Sequence, residues 1–164
     1  MKKEELIALI EEGFQKPAWH GPNLRSALRG VTADEALWRP ARGRHNIWEI
    51  AVHAAYWKYT VTRRLTGSNK HDFPEKGRNW FVRDGKSLKN NEATRRWKSD
   101  LTLLATTHEE LNRAIRDFRT SDLARPMPGN SQTALRNMVG IAMHDVYHAG
   151  QIQLLRKLFR ARSN

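Results

Sequence analysis

Apolar residues recur at three- and four-residue intervals along most of this chain, the pattern of amphipathic helices. The pattern predicts four long helices, at about residues 3–15, 46–67, 92–119 and 133–159. Asn46 is spaced to cap the second helix, and Gly67 is placed to end it. The third helix repeats its apolar positions at alternating spacings of four and three, which is typical of a helix-bundle seam. His108 lies on that seam.

The segments between the long helices contain shorter elements. A further helical piece follows Pro22, and Thr32 with Glu35 has the spacing of a capping box that opens a short turn. Residues 68–91 are polar, contain several glycines and prolines, and show no sustained periodicity. A connection of this length permits a crossover between parallel helices. We therefore predict an all-α fold, a single-domain four-helix bundle over residues 1–164, with a long crossover connection between the second and third helices.

The composition limits the chemistry of any site. Hydrophobic residues make up 39% of the 164 positions, which is enough to build a core, and there is no cysteine. Disulfides and thiolate metal sites are thereby excluded, so a metal would be held by imidazole, carboxylate or water. The N-terminal segment has the pattern of an amphipathic helix rather than a secretory signal. No stretch approaches the roughly 20 apolar residues that cross a bilayer, so we expect a cytoplasmic protein without a membrane partner.

The charge balance offers an alternative function. Lys and Arg number 29 against 17 Asp and Glu, a formal net charge of +12. A basic helical module could bind nucleic acid or an acidic partner, with any metal only structural. The basic residues are spread along the chain, and no helix-turn-helix pattern or compact basic helix face is present. We therefore rank nucleic acid as a partner below the small molecule that a metal site would bind.

Three histidines form the strongest candidate site. His144 and His148 stand four residues apart on the fourth helix, about 40° apart in direction and roughly 6 Å apart in rise, and share a face with Ile152. Two hydrogen-bonded core histidines are the alternative explanation for this pair. His53 lies on the buried side of the second helix, and three histidines on two facing helices are a more specific signal for one divalent metal.

The segment HDVYH at 144–148 is superficially similar to the zinc-peptidase pattern H-E-x-x-H. Asp145 is shorter than the glutamate of that pattern. Only 16 residues follow His148, and none of them is His, Asp or Glu. The third ligand must therefore come from upstream, where His53 lies.

Seven further residues are candidates for the surroundings of the ion: His20, Glu49, Tyr56, Trp57, His108, Asp145 and Gln151. One of the two carboxylates could orient a ligand imidazole, although we expect both on the surface. Tyr56, Trp57 and Gln151 could line the open side of the ion or belong to the core. His20, at the bend of the N-terminal region, could line a pocket mouth or lie in a plain loop, and we expect His45 and His71 in loops too. His108, on the seam of the third helix, is either a rival ligand or, as we favour, a buried residue held by a neighbouring polar group.

Three strings in the chain resemble the DinB-like (YfiT-type) superfamily: HDVYHAGQI at 144–152, IWEIAVHAAYW at 47–57 and WRP at 38–40. The resemblance runs from Trp19 to Leu158. It implies a four-helix bundle with a crossover connection and a divalent metal, often nickel or zinc. It also implies that this metal is bound by one histidine of the second helix and two of the fourth, which match the three named above.

The resemblance leaves the reaction open. Some members of that superfamily are thiol-dependent S-transferases or isomerases that use low-molecular-weight thiols, and others are described as metal-dependent hydrolases. Three imidazole ligands leave coordination positions for water or substrate, as in catalytic sites. We therefore expect a metal-dependent hydrolase or thiol S-transferase whose small-molecule substrate is anionic, in keeping with the basic surface. Leftover apolar surface on a bundle makes a homodimer a further expectation.

Overall fold

The computed structural model describes residues 2–68, 72–85, 89–129 and 131–162, so the predicted loop position of His71 lies outside the described residues. Within these ranges the chain forms six α-helices, one turn of 3-10 helix at Thr120–Asp122, and no β-strand. The helices are α1 (Lys3–Phe14), α2 (Leu24–Leu28), α3 (Ala33–Leu37), α4 (Ile47–Thr66), α5 (Asn90–Asp117) and α6 (Ala134–Ala161). None of the described helices is both long enough and apolar enough to cross a membrane.

The predicted all-α fold is confirmed, and the four long helices begin and end within about two residues of their predicted bounds. Capping explains this agreement. The side chain of Asn46 accepts a hydrogen bond from the backbone N–H of Glu49 at 2.8 Å, and Gly67 ends α4 in the left-handed conformation with a φ of 64°. Thr32 caps α3 in the same way, accepting from the N–H of Glu35 at 3.2 Å.

Helix α4 lies at the centre of the molecule and packs against α3, α5 and α6. Every residue from 47 to 55 is buried, so the predicted one-sided apolar stripe is too narrow. Polar groups on the remaining faces are satisfied inside the protein: the indole N–H of Trp48 donates to Asp100 of α5 at 2.6 Å. Such a helix presents side chains to several neighbouring helices at once, and the buried side chain of His53 is one of these side chains.

Two apolar clusters fill the bundle. One surrounds Trp48 and Trp97 and includes the short helices α2 and α3, and the other joins α1, α5 and α6 around Leu111 and Met138. Close approach of α1 and α6 depends on Gly13, where an added Cβ would lie 2.9 Å from the carbonyl oxygen of Ala142. This packing fixes α6, the helix that carries two of the three candidate ligands.

The described part of the long connection is tied to the helices by polar groups. The backbone N–H of Arg83 donates to Glu49 at 3.0 Å, and its carbonyl accepts from the side chain of Asn46 at 2.7 Å. Its guanidinium bonds Asp100 of α5 and Glu75 of the connection itself. Residues 72–85 are thereby held against α4. The crossover course of the whole connection stays a prediction, because 69–71 and 86–88 lie outside the described residues.

Candidate metal centre

The structure brings the three predicted histidines together between α4 and α6. The Nε2 atom of His144 lies 3.0 Å from the Nε2 of His53 and 3.0 Å from the Nε2 of His148. One ring nitrogen from each of the three falls within 4.8 Å of the others. His53 and His148 are buried, and His144 is half-buried. The three rings thus point the same type of atom at one small volume.

The partners of the Nδ1 atoms indicate which tautomer two of the rings adopt. His53 Nδ1 lies 2.8 Å from the carbonyl oxygen of Asn79, which can only accept, so Nδ1 carries the proton. His148 Nδ1 donates likewise to the side-chain oxygen of Gln151 at 2.7 Å, while the amide nitrogen of Gln151 donates to Tyr147. Both rings therefore direct an unprotonated Nε2 toward His144.

Hydrogen bonding alone does not satisfy this group. A neutral His144 carries one proton. If the proton is on Nε2, it is shared between two acceptors; if it is on Nδ1, three lone pairs face one another. Nδ1 of His144 is buried and has no hydrogen-bond partner in the described structure. A cation accepts all three lone pairs at once, so the donor set fits a divalent metal ion.

Burial keeps these rings in the form that binds metal. It lowers the pKa of His144 to about 3, assisted by the neighbouring His148 and His53. It lowers the pKa of His148 to about 4 and also lowers that of His53. All three imidazoles are therefore neutral near pH 7, and no proton has to leave Nε2 of His53 or His148 when a metal binds.

Two residues of the connection support His53, and sequence reasoning missed both. Asn79 has a φ of 67°, a left-handed conformation that asparagine tolerates better than most residues. Its backbone carbonyl accepts from His53, and its side-chain oxygen accepts from the indole of Trp57 at 2.8 Å. Trp80 stacks on His53 with ring centroids 3.8 Å apart and on His45 at 3.6 Å. An asparagine and a tryptophan in a polar loop carry no periodic signal, so nothing in the sequence singles them out.

The two predicted carboxylates are buried, so the expectation that they lie on the surface is wrong. Glu49 bonds Arg39, the N–H of Arg83 and Nδ1 of His45, and these contacts lower its pKa to about 2 against the opposing effect of burial. Asp145 is fully buried against Lys58. Neither carboxylate bonds an imidazole of the three candidate ligands in the described structure. Each lies deep beside a cation, the fully buried Lys58 for Asp145 and the half-buried Arg39 for Glu49, which helical spacing alone does not reveal.

The remaining candidates divide between the site and the core. Trp57 contacts the rings of His53 and His144 edge-on, with centroids 6.4 and 6.5 Å apart, and Gln151 orients His148. Tyr56 packs against Phe73 and Phe81 of the first core cluster, and its described ring contacts include none of the three histidines.

The other two predicted histidines lie apart from the site. His108 is buried with its Nε2 3.0 Å from a carboxylate oxygen of Glu11, and Asn112 donates to the same oxygen. The favoured interpretation of His108, a buried histidine held by a neighbouring polar group, is confirmed. His20 lies in a turn, and its one described ring contact is with the exposed Trp19.

A cavity of about 310 Å³ opens beside the centre and is lined by His144. A larger cleft of about 910 Å³ lies on the neighbouring side of Trp57 and is lined by Asn79, but by none of the three histidines. Of these two cavities, the smaller one is the one that has a candidate ligand in its lining.

Comparison with known proteins gives one family. The family model described as the DinB superfamily matches residues 18–152, which include all three histidines of the centre. No curated protein and no solved structure matches the chain.

Proposed function

The chain belongs to the DinB superfamily, and from this premise we propose that it binds one divalent metal ion and acts as a metal-dependent enzyme on a small molecule. One observation carries the proposal: three Nε2 atoms converge between α4 and α6, and the hydrogen-bond partners of Nδ1 in His53 and His148 leave the Nε2 atoms of these two rings unprotonated. Where a buried histidine of this protein has a structural role, as His108 does, its ring nitrogen bonds a carboxylate. No carboxylate bonds the converging nitrogens in the described residues.

His53, His144 and His148 would hold the ion, and zinc or nickel suits a set of imidazole ligands. A bound ion supplies Lewis acidity, which favours hydroxide from water or thiolate from a thiol near neutral pH. The proposal accordingly covers two reactions, hydrolysis and transfer to a low-molecular-weight thiol used as co-substrate. In the second, the sulfur forms a bond to carbon, the leaving group departs with its electron pair, and the thiol proton passes to water.

The surrounding residues fix the ligands and restrict access of water. Asn79 and Gln151 accept the Nδ1 protons and so keep two Nε2 lone pairs directed at the ion, a contribution that typically changes metal affinity 10- to 100-fold. Trp80 covers one face of the His53 ring, and Trp57 stands edge-on to His53 and His144. The half-buried His144 is left as the ligand that faces the cavity.

Metal content tests the proposal directly. The protein, purified without a metal-binding tag and reconstituted with zinc or nickel, is expected to hold close to one ion by elemental mass spectrometry. His53→Ala and His144→Ala should each lose it, because two imidazoles bind far more weakly than three. His108→Gln is the matched control, since it removes a fully buried histidine outside the centre, and it should keep the ion.

A chain that takes up no metal after reconstitution would overturn the proposal and favour binding to a polyanion. That alternative is tested by the mobility shift of nucleic acid at physiological salt, because nonspecific attraction to a basic surface weakens steeply between about 50 and 200 mM salt.

Thiol dependence separates the two reactions once metal is bound. Loaded protein is assayed with a hydrolysable ester in the absence of thiol, and with an alkylating electrophile in its presence and absence. Ester turnover that needs no thiol supports a hydrolase, whereas consumption of the electrophile only when thiol is added supports an S-transferase. Either activity should disappear in His144→Ala and persist in His108→Gln.

A further inference from the structure

The cavity beside His144 has two kinds of wall. Its lining includes Trp57 and Ile141 on one side and Arg64, Gln132, Arg136 and Asn137 on the other. The aromatic and aliphatic members come from the middle of α4 and α6, next to the candidate ligands. The polar members come from the C-terminal part of α4, the first turn of α6 and the residues just before it. A small molecule in this cavity would therefore meet apolar surface and a pair of guanidinium groups.

The two arginines carry charge that no acidic side chain balances. Within the described ranges, neither Arg64 nor Arg136 forms an ion pair with a carboxylate, and no acidic residue lines the cavity. Arg64 is half-buried and donates to the neutral amide oxygen of Asn137 at 3.3 Å. Arg136 is exposed at the rim of the cavity. A half-buried cation beside apolar walls, such as Arg64, attracts an anion more strongly than a cation in open solvent does.

Other arginines of the protein show the contrast. Arg39, Arg83 and Arg156 are at least partly withdrawn from solvent, as Arg64 is, but each of them bonds a carboxylate of Glu49, Asp100 or Glu35. Charged side chains of both signs line the larger cleft, because Asp72 and Glu75 lie there together with several basic residues. Arg64 lines that cleft as well. Of these two cavities, the one beside His144 has two arginines, no acidic residue and a candidate metal ligand in its lining.

Resting on the proposed function, we infer that this cavity is the substrate pocket and that it takes a small molecule bearing a carboxylate. The carboxylate lies on Arg64 and Arg136, whose planar guanidinium groups suit two-point recognition of its oxygens. The apolar part packs against Trp57 and Ile141, and the reacting group points to His144. A volume of about 310 Å³ is at the lower end of small-molecule sites, so the occupant is small.

A pair of thiols tests this inference. Zinc-loaded protein is titrated by calorimetry with 3-mercaptopropionate and with 2-mercaptoethanol, which are similar in size and differ in the carboxylate. The wild type should bind 3-mercaptopropionate more tightly. Arg64→Gln and Arg136→Gln should each weaken its binding about tenfold, the effect expected for one charge-assisted hydrogen bond. Binding of 2-mercaptoethanol should not change, which also shows that the variants are folded. Arg160→Gln, an exposed position on α6 outside the cavity, is the matched control and should match the wild type.

Three results would overturn the inference while leaving the metal proposal intact: equal affinity of the wild type for the two thiols, binding of neither, or variants that keep the preference for 3-mercaptopropionate. A protein that binds no metal contradicts the proposed function instead. The pocket is then judged in the metal-free protein by the arginine Nε–H signals in NMR spectra. Shifts of the Arg64 and Arg136 signals on adding propionate support it, and unchanged signals overturn it.

Discussion

His108 and the three histidines of the candidate centre lie inside the same bundle, yet their nitrogen atoms have different partners. Nε2 of His108 meets the carboxylate of Glu11, which is also bonded by Asn112. Nε2 of His144 meets two other imidazoles, both directing lone pairs at it. Burial lowers the pKa in both environments, so a lowered pKa does not distinguish them. The direction of the lone pairs does, and it is the basis of our proposal that the metal binds at the three converging histidines while His108 serves the core.

Among the changes that test this comparison, breaking the ion pair of Lys58 and Asp145 should have the largest effect on the free energy of unfolding. Both side chains are fully buried, and the charge of Lys58 lowers the pKa of both His108 and His144. Lys58→Met should cost about 3–5 kcal/mol of unfolding free energy, because Asp145 is left buried without a partner. Urea unfolding of the metal-free protein at pH 7 measures the change.

The double variant Lys58→Met with Asp145→Leu should recover most of that loss, since neither charge is then left unpaired. Metal content should stay near the wild-type value in the single variant if the pair serves the core. A single variant that loses less than about 1 kcal/mol, or that loses its metal while keeping its stability, would contradict this assignment.

Removing the carboxylate partner of His108 should have a smaller effect. Glu11→Leu leaves His108 and Asn112 without their shared acceptor, at a cost of about 1–3 kcal/mol. The metal content should be unchanged, whereas His144→Ala should show the opposite result, with metal lost and the metal-free protein little destabilised. Glu4→Leu, at an exposed position on the same helix, is the control. Loss of metal in Glu11→Leu would break the separation of the two histidine environments.

Acid should destabilise the fold partly through His108. Burial lowers its pKa below the ordinary 6.5, and the charge of Lys58 lowers it further, against the opposing bond to Glu11. Below about pH 6.5 the unfolded chain therefore takes up a proton at this position and the folded chain does not, so stability falls as pH falls until the lower folded pKa is reached. In His108→Gln the slope of unfolding free energy against pH should be shallower by up to about 1.4 kcal/mol per pH unit. Identical slopes would show that the position does not titrate as described.

The smallest effect is expected at Asn79, which holds His53 by its backbone. Asn79→Gly keeps the left-handed conformation and the carbonyl that accepts from His53, so metal affinity should stay close to the wild type. Asn79→Ala introduces strain of about 1 kcal/mol at a φ of 67° and should weaken metal binding several-fold. Competition with a chromogenic chelator compares the two. Equal affinities would mean that this carbonyl does not position the ring.

The sequence predicted much of the fold and the central trio for definite physical reasons. Caps such as Asn46 and Gly67 act within one turn, so helix bounds are local information. The spacing of His144 and His148 fixes their shared face, and the apolar side of α4 places His53 opposite them. The predicted association of these three residues agrees with the observed geometry.

What the sequence did not provide are contacts set by distant segments. The carbonyl of Asn79 reaches His53 across 26 residues, and Lys58 reaches Asp145 across 87. A lysine in the middle of a helix normally indicates solvent, and only the packing of α6 against α4 reveals that this one is buried. The unpaired charge of Arg64 and Arg136 is equally invisible, because every arginine contributes the same charge to the net value of +12.

The complete burial of α4 from residue 47 to 55 also has a kinetic consequence. Amide protons in the most enclosed segment of a domain exchange with solvent only when large parts of it open, so this stretch should be among the slowest to exchange deuterium. His53 lies in that stretch, whereas His144 is on the half-exposed side of the centre. One candidate ligand is thus held by the most enclosed segment of α4. An ion would enter and leave from the side of α6 without the bundle unfolding.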